Sequence, residues 1–190
     1  MKSNILKSTL ILVLAISFAS FTVISEKTVN VENSKVTWKG YKVTGSHEGT
    51  IALASGVLKF ESDKLVGGEF SIDMTTITNT DIEGEYAKNL EGHLKSDDFF
   101  GVEKHPTAGI NFTSVKASGK NSYTVVADLT IKGKTNPITF EMSIYGSKAT
   151  AALKVDRTKY DVKYGSSSFF DNLKDKAIYD EFDLVVDLQF

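Results

Sequence analysis

From Ser34 onward the apolar residues of this chain recur at every second position, and that period constrains the fold more than any other feature of the sequence. The final segment shows it best. Phe182, Leu184, Val186, Leu188 and Phe190 fall on one face, with Asp183, Asp187 and Gln189 on the other. Val36 and Trp38 alternate with Lys35, Thr37 and Lys39; Val66, Phe70, Ile72 and Met74 share a parity; Ile110 and Phe112 follow; and Ile138, Phe140, Met142 and Ile144 alternate with Thr139, Glu141 and Ser143. Successive side chains of an extended strand point to opposite faces, so each run describes a half-buried strand with its apolar side turned inward.

Residues 61–64, 118–121, 133–137 and 146–148 are rich in Gly, Asn, Ser or Pro and separate these runs as turns. Connections this short imply hairpins and antiparallel neighbours, and about eight strands fit between Ser34 and Phe190. Strands that are apolar on one side only are best satisfied when the sheet closes on itself, which also removes its exposed edges. The fold expected is therefore all-β, an eight-stranded antiparallel barrel, with a flattened two-sheet sandwich as the alternative.

One segment departs from the period. Ile82, Tyr86, Leu90 and Leu94 recur at four-residue intervals and predict an inserted α-helix over residues 81–95, covering one end of the barrel. Thr80 and Glu83 have the spacing of a capping box. Gly84 and Gly92 each weaken the helix by about 1 kcal/mol, so it must lean on the sheet. Directly after it, residues 97–102 form the apolar cluster Asp-Asp-Phe-Phe-Gly-Val where a polar loop is the norm.

Lys2 and Lys7, the apolar run from Leu10 to Ile16 and the small residues Ser17, Ala19 and Ser20 have the layout of a secretory signal. Residues 1–19 are expected to be cleaved, leaving one domain over residues 31–190 in a periplasmic or secreted protein. The run is shorter than the ~20 residues of a membrane span, so no stable span is expected. The sequence has no cysteine, which excludes disulfides, thiolate metal sites, a cysteine nucleophile and a lipoprotein anchor. Its 22 basic and 24 acidic residues, a net charge of -2, argue against a nucleic-acid partner, whose binding is driven by excess Lys and Arg.

Signs of catalysis are sparse. His47, His93 and His105 form no metal-binding spacing, and no metal or cofactor is expected. There is no G-x-S-x-G elbow, and Ser166-Ser167-Ser168 reads as a solvated loop. The acidic pairs Asp97-Asp98 and Asp180-Glu181 could do acid–base work in principle but read as loop and strand-end solvation; His93, on the inward flank of the helix, with Asp97 nearby, is the pair an enzymatic reading would use. Arg157 is the single arginine in the chain. It shares parity with Leu153 and Val155, which places it at a barrel rim, in a position that needs planar, forked hydrogen bonding to a carboxylate or stacking on an aromatic face. A structural ion pair there needs no ligand; recognition of a ligand head group is the alternative.

The run His93-Leu94-Lys95-Ser96-Asp97-Asp98-Phe99-Phe100, followed by Val102-Glu103-Lys104-His105-Pro106-Thr107-Ala108, resembles a signature segment of the YceI-like lipid/polyisoprenoid-binding family. Gly45-Ser46-His47-Glu48-Gly49 with Ser55-Gly56, Leu129-Thr130-Ile131-Lys132-Gly133 and Asp156-Arg157-Thr158-Lys159-Tyr160 resemble three further motifs of that family, in the same order. The departures are Gly101, where the family usually has Asp, and Asp161, where a glycine commonly follows the aromatic.

The resemblance implies a lipocalin-like barrel that holds a long-chain isoprenoid or similar acyl lipid outside the cytoplasm, as a binding or carrier protein and not an enzyme. Combined with the strand faces, it points to a cavity lined by Phe70, Ile72, Met74, Phe112, Phe140, Met142, Ile144, Phe182, Leu184 and Val186. His47, His93, Arg157 and Tyr160 are then the polar candidates at its mouth. Two other readings stay open: a hydrolase or isomerase acting on a hydrophobic substrate through His93 and Asp97, and a structural barrel filled by its own side chains.

Overall fold

Alternating apolar faces leave each strand needing a partner on both edges, and the chain meets that need by closure. The computed structural model describes residues 23–190; the expected signal at residues 1–19 lies outside the described residues. In chain order the elements are β1 (Ile24–Thr28), β2 (Lys35–Lys42), β3 (Gly45–Glu61), β4 (Lys64–Asn79), α1 (Gly84–Lys95), β5 (Thr107–Ala117), β6 (Ser122–Ile131), β7 (Lys134–Tyr145), β8 (Lys148–Asp156) and β9 (Ile178–Gln189). A 3-10 turn over Arg157–Tyr160 follows β8.

Strands β2 to β9 form the eight-stranded antiparallel barrel, in the order β3-β2-β9-β8-β7-β6-β5-β4 and closed by the β3–β4 pairing. The sandwich alternative is thereby set aside. The remaining strand, β1, pairs with the C-terminal part of β3 (Ile24 opposite Glu61, Thr28 opposite Val57), on the edge whose N-terminal part carries β2 (Val36 opposite Ile51). All five β1 residues are exposed, so the strand has no apolar alternation by which a sequence reading could find it.

Several expectations need correction. Val66 does not face inward with Phe70. Lys59 pairs with Gly67 but Phe60 pairs with Leu65, and this bulge at Val66 shifts the parity, burying Leu65 and leaving Val66 39% exposed. The helix begins at Gly84, not at residue 81, and no capping box forms: Glu83 makes no capping hydrogen bond, and Thr80 turns its hydroxyl to the Glu48 carbonyl. Tyr86 is 81% exposed, so the contact of α1 with the barrel is carried by its C-terminal half, where Leu94 is buried. Ser166 is fully buried, where a solvated loop was expected.

Both departures from the family pattern sit at left-handed turn positions, Gly101 with φ +59° and Asp161 with φ +62°. Glycine takes such a conformation without strain, and Asp is among the few other residues that tolerate it.

One end of the barrel is filled. Leu58, Val125, Ala149 and Leu188 are almost wholly inaccessible, the Phe60 and Phe190 rings stack at 5.8 Å, and the Lys27 ammonium lies 4.7 Å from the Phe60 ring centre. The other end carries α1, the Phe99–Phe100 loop and the segment that joins β8 to β9.

Candidate functional site

Between those ends the interior is open. An apolar chamber of about 830 Å³, its open mouth included, is bordered by Trp38, Ile51, Ile72, Met74, Ile77, Leu94, Phe99, Phe100, Leu129, Ile131, Phe182 and Leu184 among others. A second chamber of about 520 Å³, measured in the same way, lies toward the filled end and is bordered by Phe70, Ile110, Phe112, Phe140, Met142, Leu153 and Val186. Val36, Ile72, Leu129 and Leu184 border both, so these four side chains form a waist between two parts of one apolar interior.

Of the ten residues expected to line a cavity, nine border one chamber or the other; Ile144 borders neither and packs, half-buried, against the core. Strand parity finds most of them because the ladders joining β6, β7, β8 and β9 run without a register shift. It missed the contribution of α1 and the following loop, Leu94, Phe99 and Phe100, although an apolar loop in place of a polar one was the available signal. It also missed Ile77. Thr50 pairs with Thr78 but Ala52 pairs with Asp73, so β4 bulges over residues 74–77 and turns Met74 and Ile77, of opposite parity, into the same chamber.

Trp38 stands in the first chamber with its indole N–H donated to the Thr78 carbonyl at 3.0 Å. Gly49 makes this approach possible: a Cβ there would lie 1.8 Å from the Thr78 oxygen and 2.7 Å from the Trp38 ring.

The mouth is formed where the β2–β9 ladder breaks. Gly40 pairs with Phe182 but Lys42 pairs with Ile178, so residues 179–181 of β9 stand against the single β2 residue Tyr41. Gly40, Tyr41, Tyr179 and Glu181 border the chamber at this gap. On the other edge of β9 the β8 ladder also stops, at Asp156 opposite Glu181, leaving residues 178–180 without a partner strand. Arg157, the next residue, takes the place of that strand. Its guanidinium donates to the carbonyls of Tyr179 (Nε, 3.0 Å), Ile178 (Nη2, 3.0 Å) and Val162 (Nη1, 2.7 Å). The Asp180 carboxylate lies 3.7 Å from Nη2, and the Phe99 ring centre 5.5 Å from the guanidinium carbon.

The expected forked interaction is therefore present, but its acceptors are mainly backbone carbonyls; the carboxylate and the aromatic face are secondary. Arg157 is 2% exposed, and burial draws its pKa down against the opposing charges of Asp180 and Asp156. Burial pushes the Asp180 carboxyl up, but the hydroxyls of Ser166 and Ser168 and the charge of Arg157 outweigh it and hold it below the ordinary aspartate range. On the outer side of the gap the Tyr41 hydroxyl donates to Asp183 at 2.7 Å, and Lys154 reaches the other oxygen of the same carboxylate at 2.8 Å. That hydrogen bond, ahead of burial, raises the Tyr41 phenol, while Lys154 and then Tyr41 lower Asp183.

The other polar candidates border neither chamber. His47 is held by Asp81, Nδ1 to Oδ2 at 3.0 Å. Tyr160 is buried, which raises its phenol. His93 lies between Tyr164 and Phe99, with ring centres 4.4 and 5.4 Å away, and its Nε2 has no hydrogen-bond partner among the described residues. Asp97 is tied to Lys104. The acid–base pairing of His93 with Asp97 is not made, which removes the motivation for the enzymatic reading. Among the described residues no group of three or more His, Asp or Glu side chains is placed to hold a metal ion, and no helix is long and apolar enough to cross a membrane.

The arrangement also resembles known proteins. A family model described as a YceI-like domain matches residues 28–190. A UPF0312 protein of Pseudomonas putida is 32% identical over 119 residues, which cover 60% of this chain and 58% of that protein. Protein YceI of Escherichia coli is 31% identical over 98 residues, 52% of this chain and 49% of that one. The matched region thus spans about half the length of these relatives. Among solved structures, BcnA of Burkholderia cenocepacia has a TM-score of 0.66 at 22% identity, covering 84% of this chain and 98% of its own. A domain of Saccharophagus degradans described as polyisoprenoid-binding has a TM-score of 0.56 at 14% identity, covering 89% of this chain and 99% of its own. At these identities the structural likeness is one of fold.

Proposed function

Because this chain belongs to the YceI-like domain family, we propose that it is a non-catalytic carrier that holds a long-chain isoprenoid or similar acyl lipid inside its barrel. The observation that carries this reading is the interior itself: two adjoining apolar chambers that share the side chains of Val36, Ile72, Leu129 and Leu184. A barrel stabilised only by its own packing fills its centre. Here the centre is vacant over much of the barrel length, and its walls are side chains with nothing to offer but dispersion and burial. The description of the Saccharophagus degradans domain as polyisoprenoid-binding supports the same ligand class.

Magnitudes agree. Some twenty methylene equivalents at about 0.8 kcal/mol each contribute about 16 kcal/mol gross, so affinity needs few polar contacts. The tail would run past Trp38 and Met74, through the waist, and toward Phe112 and Phe140, with its polar end at the β2–β9 gap.

Solvent extraction of the protein purified in its native state, followed by mass spectrometry, tests the reading. A stoichiometric long-chain lipid is expected; a protein without lipid that also fails to take up added polyprenol ends the proposal. The location is part of it: the signal-like segment at residues 1–19 supports an extracytoplasmic protein. Cell fractionation with N-terminal sequencing of the mature chain checks that placement, and an intact N-terminus in the cytoplasmic fraction contradicts it.

A further inference from the structure

Exposed aromatic side chains are informative when they gather in one place, because a folding chain ordinarily buries them. In this barrel they gather at the end that holds the first chamber. Tyr164, Phe169, Phe170 and Tyr179 are each about half-exposed, on the segment between β8 and β9 and the start of β9, and Tyr179 borders the chamber. At the filled end Tyr145, beside the β7–β8 turn, is the one exposed aromatic side chain among the described residues.

The backbone holds these rings out. The amides of Phe169 and Phe170 both donate to the carbonyl of Ser166, at 3.2 and 3.0 Å, and Ser166 is itself fully buried. The Ile178 amide donates to the Gly165 carbonyl at 2.8 Å, and the amide of Val43, in the β2–β3 turn, donates to the Ala177 carbonyl at 3.1 Å. Tyr164 packs on His93 of α1 with ring centres 4.4 Å apart. The segment is thus tied to a barrel hairpin and to α1, and it presents its exposed rings on a fixed support. Val43, also exposed, adds an apolar side chain beside it.

Four aromatic side chains at half exposure offer about 400 Å². A stable protein interface takes about 800 Å² from each partner, so a second copy of this chain is poorly matched. A bilayer surface needs no complementary face of that size, because aromatic rings settle one by one at the level of the lipid head groups. The charges agree. Over residues 163–180, Lys163, Lys174 and Lys176 stand against Asp171, Asp175 and Asp180. That balance lacks the excess of Lys and Arg which draws a protein to an anionic lipid surface.

We propose that this end of the barrel docks on a zwitterionic phospholipid surface, with Phe169 and Phe170 inserted at head-group level and the first chamber held against the bilayer. The docking rests on the exposed rings. Its use, passage of a long-chain lipid between bilayer and chamber without crossing water, rests on the carrier reading.

Flotation with phosphatidylcholine vesicles tests the docking. The N-terminal segment is common to every variant, so differences among variants report this end of the barrel. The unmodified protein should float with the vesicles, and the bound fraction should change less than about twofold between low and high salt. Phe169→Ser combined with Phe170→Ser should lower the partition coefficient at least about tenfold. The same protein should keep its thermal unfolding midpoint and its uptake of polyprenol from detergent micelles, since neither ring is buried and neither borders a chamber. Phe170→Trp should still float, and vesicles with brominated acyl chains should quench its emission more than that of Trp38 in the unmodified protein. Tyr145→Ser, at the filled end, should float as the unmodified protein does.

An unmodified protein that fails to float overturns the proposal, as does equal flotation of the doubly substituted protein or an introduced tryptophan that the brominated lipid leaves unquenched. Binding that requires anionic vesicles and vanishes in salt also overturns it, and so does self-association that the double substitution abolishes in the absence of vesicle binding. A protein that floats but takes up no polyprenol leaves the docking in place and ends the carrier reading.

Discussion

At the filled end of the barrel Leu58, Val125 and Ala149 are almost wholly inaccessible and border neither chamber, whereas at the open end β4 bulges over residues 74–77 and β9 over 179–181 beside the first chamber. Each bulge releases backbone from its ladder and turns side chains of both parities toward the interior. The filled end contributes burial. The open end contributes a chamber, and it depends on polar replacements for lost pairing: Arg157 for the strand that β9 lacks, and the Thr76 hydroxyl for the partner of the Ala52 amide. Rigidity and access are thus assigned to opposite ends of the same eight strands.

The sharpest way to break this division is at the open end. Arg157→Ala leaves the Ile178, Tyr179 and Val162 carbonyls without their donor and should cost about 4 kcal/mol, read as a drop in the midpoint of thermal or urea unfolding. Arg157→Lys keeps a charge but not the planar fork. It should cost about 2 kcal/mol and lower stability more than lipid affinity; the reverse ranking would assign Arg157 to the ligand instead. At the filled end Leu58→Ala creates a cavity in fully buried packing and should cost about 3 kcal/mol, with the affinity of the stable fraction for polyprenol unchanged.

The waist separates the two ends. Ile72→Trp should obstruct it for less than about 1.5 kcal/mol of stability, since it adds volume beside existing space. A series of polyprenols of increasing length should then show affinity that stops rising at a shorter chain than in the unmodified protein.

Acid should act on the open end first. Asp180 has its pKa depressed in the folded protein, so its contribution is fully present above the ordinary aspartate value and is lost as pH falls through the depressed folded value. Asp180→Asn should therefore flatten the loss of stability on the acid side of that range in pH-dependent melts. The smallest effect tests the parity shift: Val66→Lys should change stability by no more than about 0.5 kcal/mol, because the bulge directs this residue to solvent. A loss typical of a buried charge would restore unbroken alternation.

The middle walls and much of the filled end were legible in the sequence because alternation is a statement about side chains, and where the ladders keep their register the side chains alone decide the strand faces. Phe140, Met142, Leu184 and Val186 were readable for that reason. The mouth was not. A bulge is a shift in backbone pairing that no residue type marks, so neither the inward turn of Ile77 at the open end nor the outward turn of Val66 at the filled end could be read from parity. Arg157 was recognisable as exceptional, being alone among lysines, and its rim position follows from its parity with Val155. Its acceptors are carbonyls, which every residue carries, so nothing in the sequence named them. The same holds for β1, whose exposed residues have no pattern to read.

The length of β3 has a consequence in time as well as in space. Seventeen residues of one strand serve two different neighbours on one edge, β2 at residues 45–51 and β1 at 57–61, with β4 along the other. Its two halves therefore belong to different cooperative units, one anchored in dense packing and one facing the vacant chamber. Amide hydrogen exchange should divide along this single strand, slow near Leu58 and faster near Gly49, so that the mouth opens many times for each occasion on which the barrel unfolds.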